Sequence, residues 1–272
     1  MRVLEPQART SRVSIAGTVH VVEAKLMLFR RLWRLNVLSS FGQPLFYLLA
    51  MGVGVGSLVN QNSSSEQLLD GVSYVAFIAP GLLATTAMVV ATVESSWPVL
   101  GGFKWERSYL AIVATPLDAV DIVIGHMAWI ALRAAISCTA VAVVMAIIPA
   151  TRSTGLVLAV LFAILTAIAM GMPTAAFAAT RQGDGGFAAF QRFVVTPLLL
   201  FGGAFFPISQ LPSWMQVVVR VTPLWHGVEL CRGVTLHELS AAAAFGHLAY
   251  LALWIGGGTF AAITLFRRRL TT

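Results

Sequence analysis

Between Arg152 and Arg181 the chain reads STGLVLAVLFAILTAIAMGMPTAAFAAT, residues 153–180, 28 residues without a charge. A helix needs about 20 predominantly apolar residues to cross a hydrocarbon core about 30 Å thick. This stretch is therefore long enough to span a bilayer, and it has companions. Uncharged runs also cover Leu35–Ser65, Gly71–Val93, Ala134–Thr151, Phe193–Val219 and Leu239–Phe266, with 31, 23, 18, 27 and 28 residues. The 18-residue run reaches span length only when Ile122–Leu132 is added, which brings Arg133 inside the segment. Six helices through a membrane are the expected core of the fold.

Composition leads to the same reading. Of 272 residues, 58% are apolar and 11% charged, against about 25% charged in an average soluble domain. No soluble core hides that much apolar surface. Met1–Ser14 is polar, and the first apolar span is far too long for a cleavable signal, so Leu35–Val59 is expected to remain as the first helix. The two cysteines, Cys138 and Cys231, provide neither a disulfide framework nor metal-ligand spacing.

The net charge of +7 and pI near 10.2 do not point to nucleic acid, because the basic residues flank the spans. With the N-terminus in the cytoplasm, the inside segments hold Arg2, Arg9, Arg12, Lys25, Arg30, Arg31, Arg34, Lys104, Arg107, Arg181, Arg192 and Arg267 to Arg269, which is 14 of the 18 basic residues. Arg152, Arg220 and Arg232 fall outside, and Arg133 lies in a span. The positive-inside rule then places both termini in the cytoplasm.

Three features stand beside the spans. Val19–Leu35 reads as an amphipathic helix at about 100° per residue. Val22, Leu26, Leu28, Phe29, Leu32, Trp33 and Leu35 share one face; Glu23, Arg30, Arg31 and Arg34 share the other; Lys25 alone breaks the pattern. Such a helix lies in the membrane interface; a cytoplasmic extension of the first span is the other arrangement these residues allow. In the loop from Pro98 to Asp121, Phe103–Ala114 has no glycine or proline and reads as one helix stopped by Pro116, either a lever or a plain connector. Asp118 is placed to cap the third span, with Asp121 reaching back. The fifth run is interrupted by Gly202, Gly203, Pro207, Pro212 and Pro223. It is expected to span from about Phe193 to Phe205, completed by preceding residues, and then to form short helices near the outer interface up to Glu238, with Trp214 and Trp225 at headgroup level. A re-entrant hairpin fits the same residues.

Arg133 lies about 12 residues into the third span, about 18 Å along the helix, where an arginine must face protein or water. Glu94, near the end of the second span, is its nearest partner in topology. Either the two form an ion pair, which requires the third helix to begin deeper than Ile122, or Glu94 sits among headgroups and Arg133 finds backbone carbonyls.

Catalytic signatures are missing. The only lysines, Lys25 and Lys104, do not follow the glycines of a phosphate-binding loop. His237-Glu238 begins like a zinc-protease motif, but Ala241 stands where the second ligand belongs. His126, His226 and His247 sit in separate segments and read as packing or interface residues. An ion- or proton-driven carrier or channel normally carries several ionisable residues at mid-membrane. Here the sequence offers Arg133.

Longer stretches meet a known family. YVAFIAPGLLATTAM at Tyr74–Met88, TVESS at Thr92–Ser96, FKWERSYLAIVATPLDAVDIVIG at Phe103–Gly125, TPLLLFGGAFFPISQLPSWMQ at Thr196–Gln216 and TPLWHGVELCRG at Thr222–Gly233 resemble the type-2 ABC transporter permeases. The similarity is to the branch of NodJ-like lipo-oligosaccharide and drug exporters, and it covers most of the chain from the second span onward. The resemblance implies an all-α integral membrane protein, divided into residues 1–35, a cytoplasmic N-terminus and interface helix, and 36–272, a six-helix permease domain. It implies a cytoplasmic coupling helix at Phe103–Ala114, with Phe103, Lys104, Trp105, Glu106, Arg107, Tyr109 and Leu110 contacting an ATPase, and Arg30, Arg31, Trp33 and Arg34 completing that surface from the interface helix. The implied partners are two copies of a separate ATP-binding cassette ATPase, which holds ATP and Mg, a second permease subunit in a homodimer, and membrane lipids. The implied activity is export of an amphipathic, lipid-linked or drug-like substrate from a bacterial plasma membrane, along a path lined by the first, second and fifth spans.

Overall fold

The computed structural model describes residues 15–31, 46, 47, 50, 54, 72–113, 115 and 117–271. All regular structure among them is helical. The expected first span, Trp33, Arg34 and the loop Asn60–Asp70 lie outside the described residues, apart from four isolated positions in the span. Helix α1 covers Ile15–Arg31, α2 Tyr74–Ser95, α3 Trp97–Lys104, α4 Ser108–Val113, α5 Ala119–Ile147 and α6 Leu156–Ala179. Helix α7 covers Gly185–Phe201, α8 Ser213–Arg220, α9 Pro223–Thr235 and α10 Ala241–Thr271.

Among the described residues, four stretches are long and apolar enough to cross a membrane: Tyr74–Lys104, in which α2 runs on into α3, then α5, α6 and α10. They correspond to the second, third, fourth and sixth expected spans. Asp118 begins α5 as read from sequence: its side chain accepts from Ala119 N–H at 2.7 Å, and Asp121 accepts from Asp118 N–H at 3.0 Å. Together the two carboxylates close a capping box.

Helix α6 stands at the centre, packed against α2, α5, α9 and α10. Its fully buried positions include Ala159, Ala163 and Ala167. Small side chains let neighbouring backbones approach closely, which is how helices associate where lipid removes the hydrophobic drive. Helix α10 is peripheral. It buries only Leu251, Gly258, Ala262 and Phe266, a stripe along one face, and turns Phe245, Leu253 and Phe260 outward.

The fifth passage is completed by residues before Phe193, as expected, and its helix stops short of Phe205. Helix α7 starts at Gly185, carries a π-helical turn at Gln191–Val195 and ends at Phe201. Gly203 follows at φ +85°, a conformation that glycine adopts freely and other residues resist. The chain turns there and lays Ala204 on α2, where a Cβ on Gly81 would stand 2.7 Å from Ala204 Cα. Helix α8 leaves Trp214 exposed, but α9 does not lie flat. It buries Leu224, Val228 and Cys231 against the bundle, with Thr166 filling the space that a Cβ on Gly227 would need. Trp225, expected as a headgroup anchor, turns toward His226 and His247.

Gly81→Ala is expected to cost about 1–3 kcal/mol, because the methyl meets backbone and not a yielding side chain. Gly246 has open space around it, so Gly246→Ala is the control. Melting of the purified protein should fall for the first variant and hold or rise for the second.

Candidate functional site: the junction of α1, α3, α4 and α5

Phe103–Ala114 is not one helix. Helix α3 ends at Lys104, the Trp105 and Glu106 N–H groups both turn back to Gly101 O, and Arg107 takes φ +52° before α4 begins. In an unbroken helix six residues turn about 240° beyond one full revolution, so Phe103 and Tyr109 would point to different sides. The break brings both rings onto Phe266 of α10, with centroids at 4.8 and 5.6 Å. Phe103 and Tyr109 also meet each other edge to face at 4.8 Å. The two rings are buried, at 7% and 4% exposure, and burial pushes the Tyr109 hydroxyl pKa up. They anchor the corner and offer no surface to a partner.

Lys104, Trp105, Glu106, Arg107 and Leu110 form the exposed tip, with Trp105 at 58% exposure. Lys104 Nζ donates to Gln182 O at 2.9 Å, tying the tip to the turn after α6. Arg269 of α10 lies over the Phe103 ring and donates to the carbonyls of Ala178 and Ala179 at the end of α6. Arg267 pairs with Asp118 at 2.9 Å. Cations near exposed helix C-terminal carbonyls are favoured by the helix dipole.

Behind the tip, Glu94 and Arg133 meet, Nε to Oε1 at 2.9 Å. The pair does not require the third span to begin deeper than Ile122. Helix α5 begins at Ala119, shallower than Ile122, and the pair forms because α3 carries the second span ten residues past Glu94 to Lys104, about 15 Å. The other Glu94 oxygen accepts from Trp129 Nε1 at 2.8 Å, so both carboxylate oxygens are occupied.

Helix α1 docks on this pair through part of its apolar face, the part that carries Lys25. Val21 is buried against Gly125, Phe29 meets Trp129 edge to face at 6.1 Å, and the Arg133 guanidinium lies 4.7 Å over the Phe29 ring. Lys25, the residue that broke the amphipathic pattern, sits between them. Its Nζ donates to His126 Nδ1 at 2.7 Å, and His126 Nε2 faces Ser95 Oγ at 3.2 Å. An ammonium only donates, so Nδ1 accepts and the ring proton sits on Nε2. Burial lowers the Lys25 pKa from 10.5 to about 8, against the upward pull of the Glu94 and Glu106 carboxylates. Arg30 and Arg31 are exposed.

Sequence reasoning missed Arg232, which the charge count placed outside. It is buried, donates to Gly203 O at 2.7 Å and to Glu229 at 3.2 Å, and lies 3.8 Å over the Phe77 ring. One guanidinium thereby ties the turn after α7, helix α9 and the start of α2. The Glu229 spacing three residues earlier was the available signal. His226 and His247, read as scattered, adjoin at 2.8 Å.

Arg133→Leu should destabilise the protein by about 3–5 kcal/mol, since it strands a carboxylate, while the Glu94→Leu/Arg133→Leu double variant recovers most of that loss. Thermal unfolding of the three forms checks the coupling. The Lys25 proton is held to a pH near 10.5 in the unfolded chain but released near 8 in the folded one, so the unfolded state binds more protons between those values and stability rises with pH across them. Compared with Lys25→Met, the native protein should gain on the order of 1 kcal/mol between about pH 7.5 and 9.5.

A family model described as ABC-2 type transporter matches residues 18–236, from within α1 to just past the end of α9. Nodulation protein J of Rhizobium leguminosarum bv. viciae is 33% identical over 238 residues, covering 86% of this chain and 88% of that protein. Nodulation protein J of Rhizobium meliloti (strain 1021) is 32% identical over 235 residues, covering 86% and 87%. The inner membrane transport permease YadH of Escherichia coli (strain K12) is 24% identical over 240 residues, covering 83% and 88%. The matched region contains the α3–α4 corner, the Glu94–Arg133 pair and the turn that Arg232 holds. The chain belongs to the ABC-2 type transporter family and is a multi-pass membrane transport component.

Proposed function

We propose that this chain is the membrane-spanning half of an exporter driven by a separate ATP-binding cassette ATPase. Two copies of the chain and two of the ATPase make the working unit, ATP and Mg are held by the ATPase, and the cargo is an amphipathic, lipid-linked or drug-like molecule. The membrane is the bacterial plasma membrane with both termini cytoplasmic, supported by the 14 of 18 basic residues that fall on that side. The domain division follows: residues 1–35 form the docking and interface segment, 36–272 the six-helix permease, and the first, second and fifth spans line the path between the two permease copies.

The observation that carries the reading is the α3–α4 tip. Trp105, Arg107 and Leu110 are exposed at a corner that Phe103, Tyr109 and Phe266 hold from behind. An exposed tryptophan and arginine on a braced corner have the composition of an interface hot spot. Force applied there reaches Glu94 through α3, and from Glu94 it reaches α5 through Arg133 and Trp129. Arg30 and Arg31 lie on the exposed side of α1, docked on the same α5 segment, and enlarge the contact surface.

Co-expression with an ATP-binding cassette ATPase, sought first among the neighbouring genes, should yield a complex that survives purification. Trp105→Asp and Arg107→Glu should each weaken it by about 2 kcal/mol or more, with the melting temperature of the isolated permease unchanged. Transport that persists when no ATPase is present sinks the proposal.

A further inference from the structure

A cavity of about 410 Å³ opens between α1 and the α3–α4 corner, with Lys25, Phe29, Glu94, Glu106, Ile112 and Trp129 among its walls. Its size lies within the range of ligand pockets, and its lining is mostly apolar with a few convergent polar groups, the usual composition of such pockets. The hydrogen-bond inventory of those polar groups is unequal. Glu94 has both oxygens engaged, by Arg133 Nε and Trp129 Nε1. Glu106 is exposed at the rim. Lys25 is different: an ammonium has three N–H donors, and among the described residues its hydrogen-bond acceptor is His126 Nδ1 alone. Arg133, whose Nη1 is buried without a partner among the described residues, stacks on Phe29 but does not line the cavity.

Lys25 therefore holds spare cationic donors beside aromatic and aliphatic walls. A buried donor without an acceptor costs about 1–3 kcal/mol, so an acidic head removes a penalty that a neutral or basic one leaves in place. We propose that this cavity binds a single-chain acidic amphiphile, with its carboxylate or phosphate monoester head on Lys25 and its chain against Phe29, Ile112 and Trp129. The site lies on the α1 side of the α3–α4 corner, and the assignment stands independently of the exporter reading. Its walls come from α1, α2, α3, α4 and α5 together, so an occupant joins the five elements.

The full-length protein in phosphatidylcholine nanodiscs, titrated with a brominated fatty acid while tryptophan fluorescence is followed, tests the assignment. Saturable quenching is expected. The saturable component should disappear in Trp129→Phe, leaving the non-saturable quenching of the other tryptophans, and its affinity should weaken about tenfold or more in Lys25→Gln, persist in Lys25→Arg and tighten in Glu106→Gln, whose exposed position keeps the fold intact. Dodecanoate and dodecyl phosphate should compete. Competition by dodecylamine or dodecanol as strong as by dodecanoate, or an affinity unchanged in Lys25→Gln, overturns the acidic head. Competition by inorganic phosphate as strong as by dodecyl phosphate overturns the amphiphile.

Discussion

A charge or a free carbonyl surrounded by hydrocarbon has to find its partner inside the protein, and both ends of this helical bundle are organised by that requirement. At one end Glu94 takes Arg133 and Trp129 together. At the other, the turn at Gly203 leaves a carbonyl without a helical partner, and Arg232 supplies the donor. In each case a single side chain joins elements distant in sequence. Removing one partner leaves a bare charge or a bare carbonyl, which is costlier than never having built the pair.

Between those ends the packing is of another kind. Helix α6 contributes alanines where its four neighbours close in, and glycines on α2 and α9 receive Ala204 and Thr166. Close backbone approach is the main source of helix association once lipid has removed the hydrophobic contribution. The middle of the bundle therefore depends on size and the ends on charge. The α3–α4 corner and α1 gather where the charges are.

Helix α1 shows how the two kinds of packing combine. Its docking face mixes Val21 against a glycine with Lys25 against a histidine and Phe29 under a guanidinium. An amphipathic pattern treats lysine as a misfit on an apolar stripe, and that misfit proves to be the contact that sets α1 on α5. The exposed arginines Arg30 and Arg31 keep the opposite side in water.

The sequence by itself determined that the chain is helical and membrane-embedded, where four helices long and apolar enough to cross a membrane run, that Asp118 caps α5, and that the segment around Gly203 is interrupted. Those properties depend on length, hydropathy and local capping, which act within a few turns of helix and need no knowledge of neighbours. Tertiary structure decided the rest. Phe103 and Tyr109 fold inward onto Phe266, which lies 157 residues or more further along the chain, and that contact breaks a segment whose composition favours a continuous helix. Glu94 reaches Arg133 because α3 extends the second span, and Arg232 is buried because α9 packs into the bundle and does not lie on its surface. Each outcome depends on which helix faces which, and propensity and periodicity describe one helix at a time.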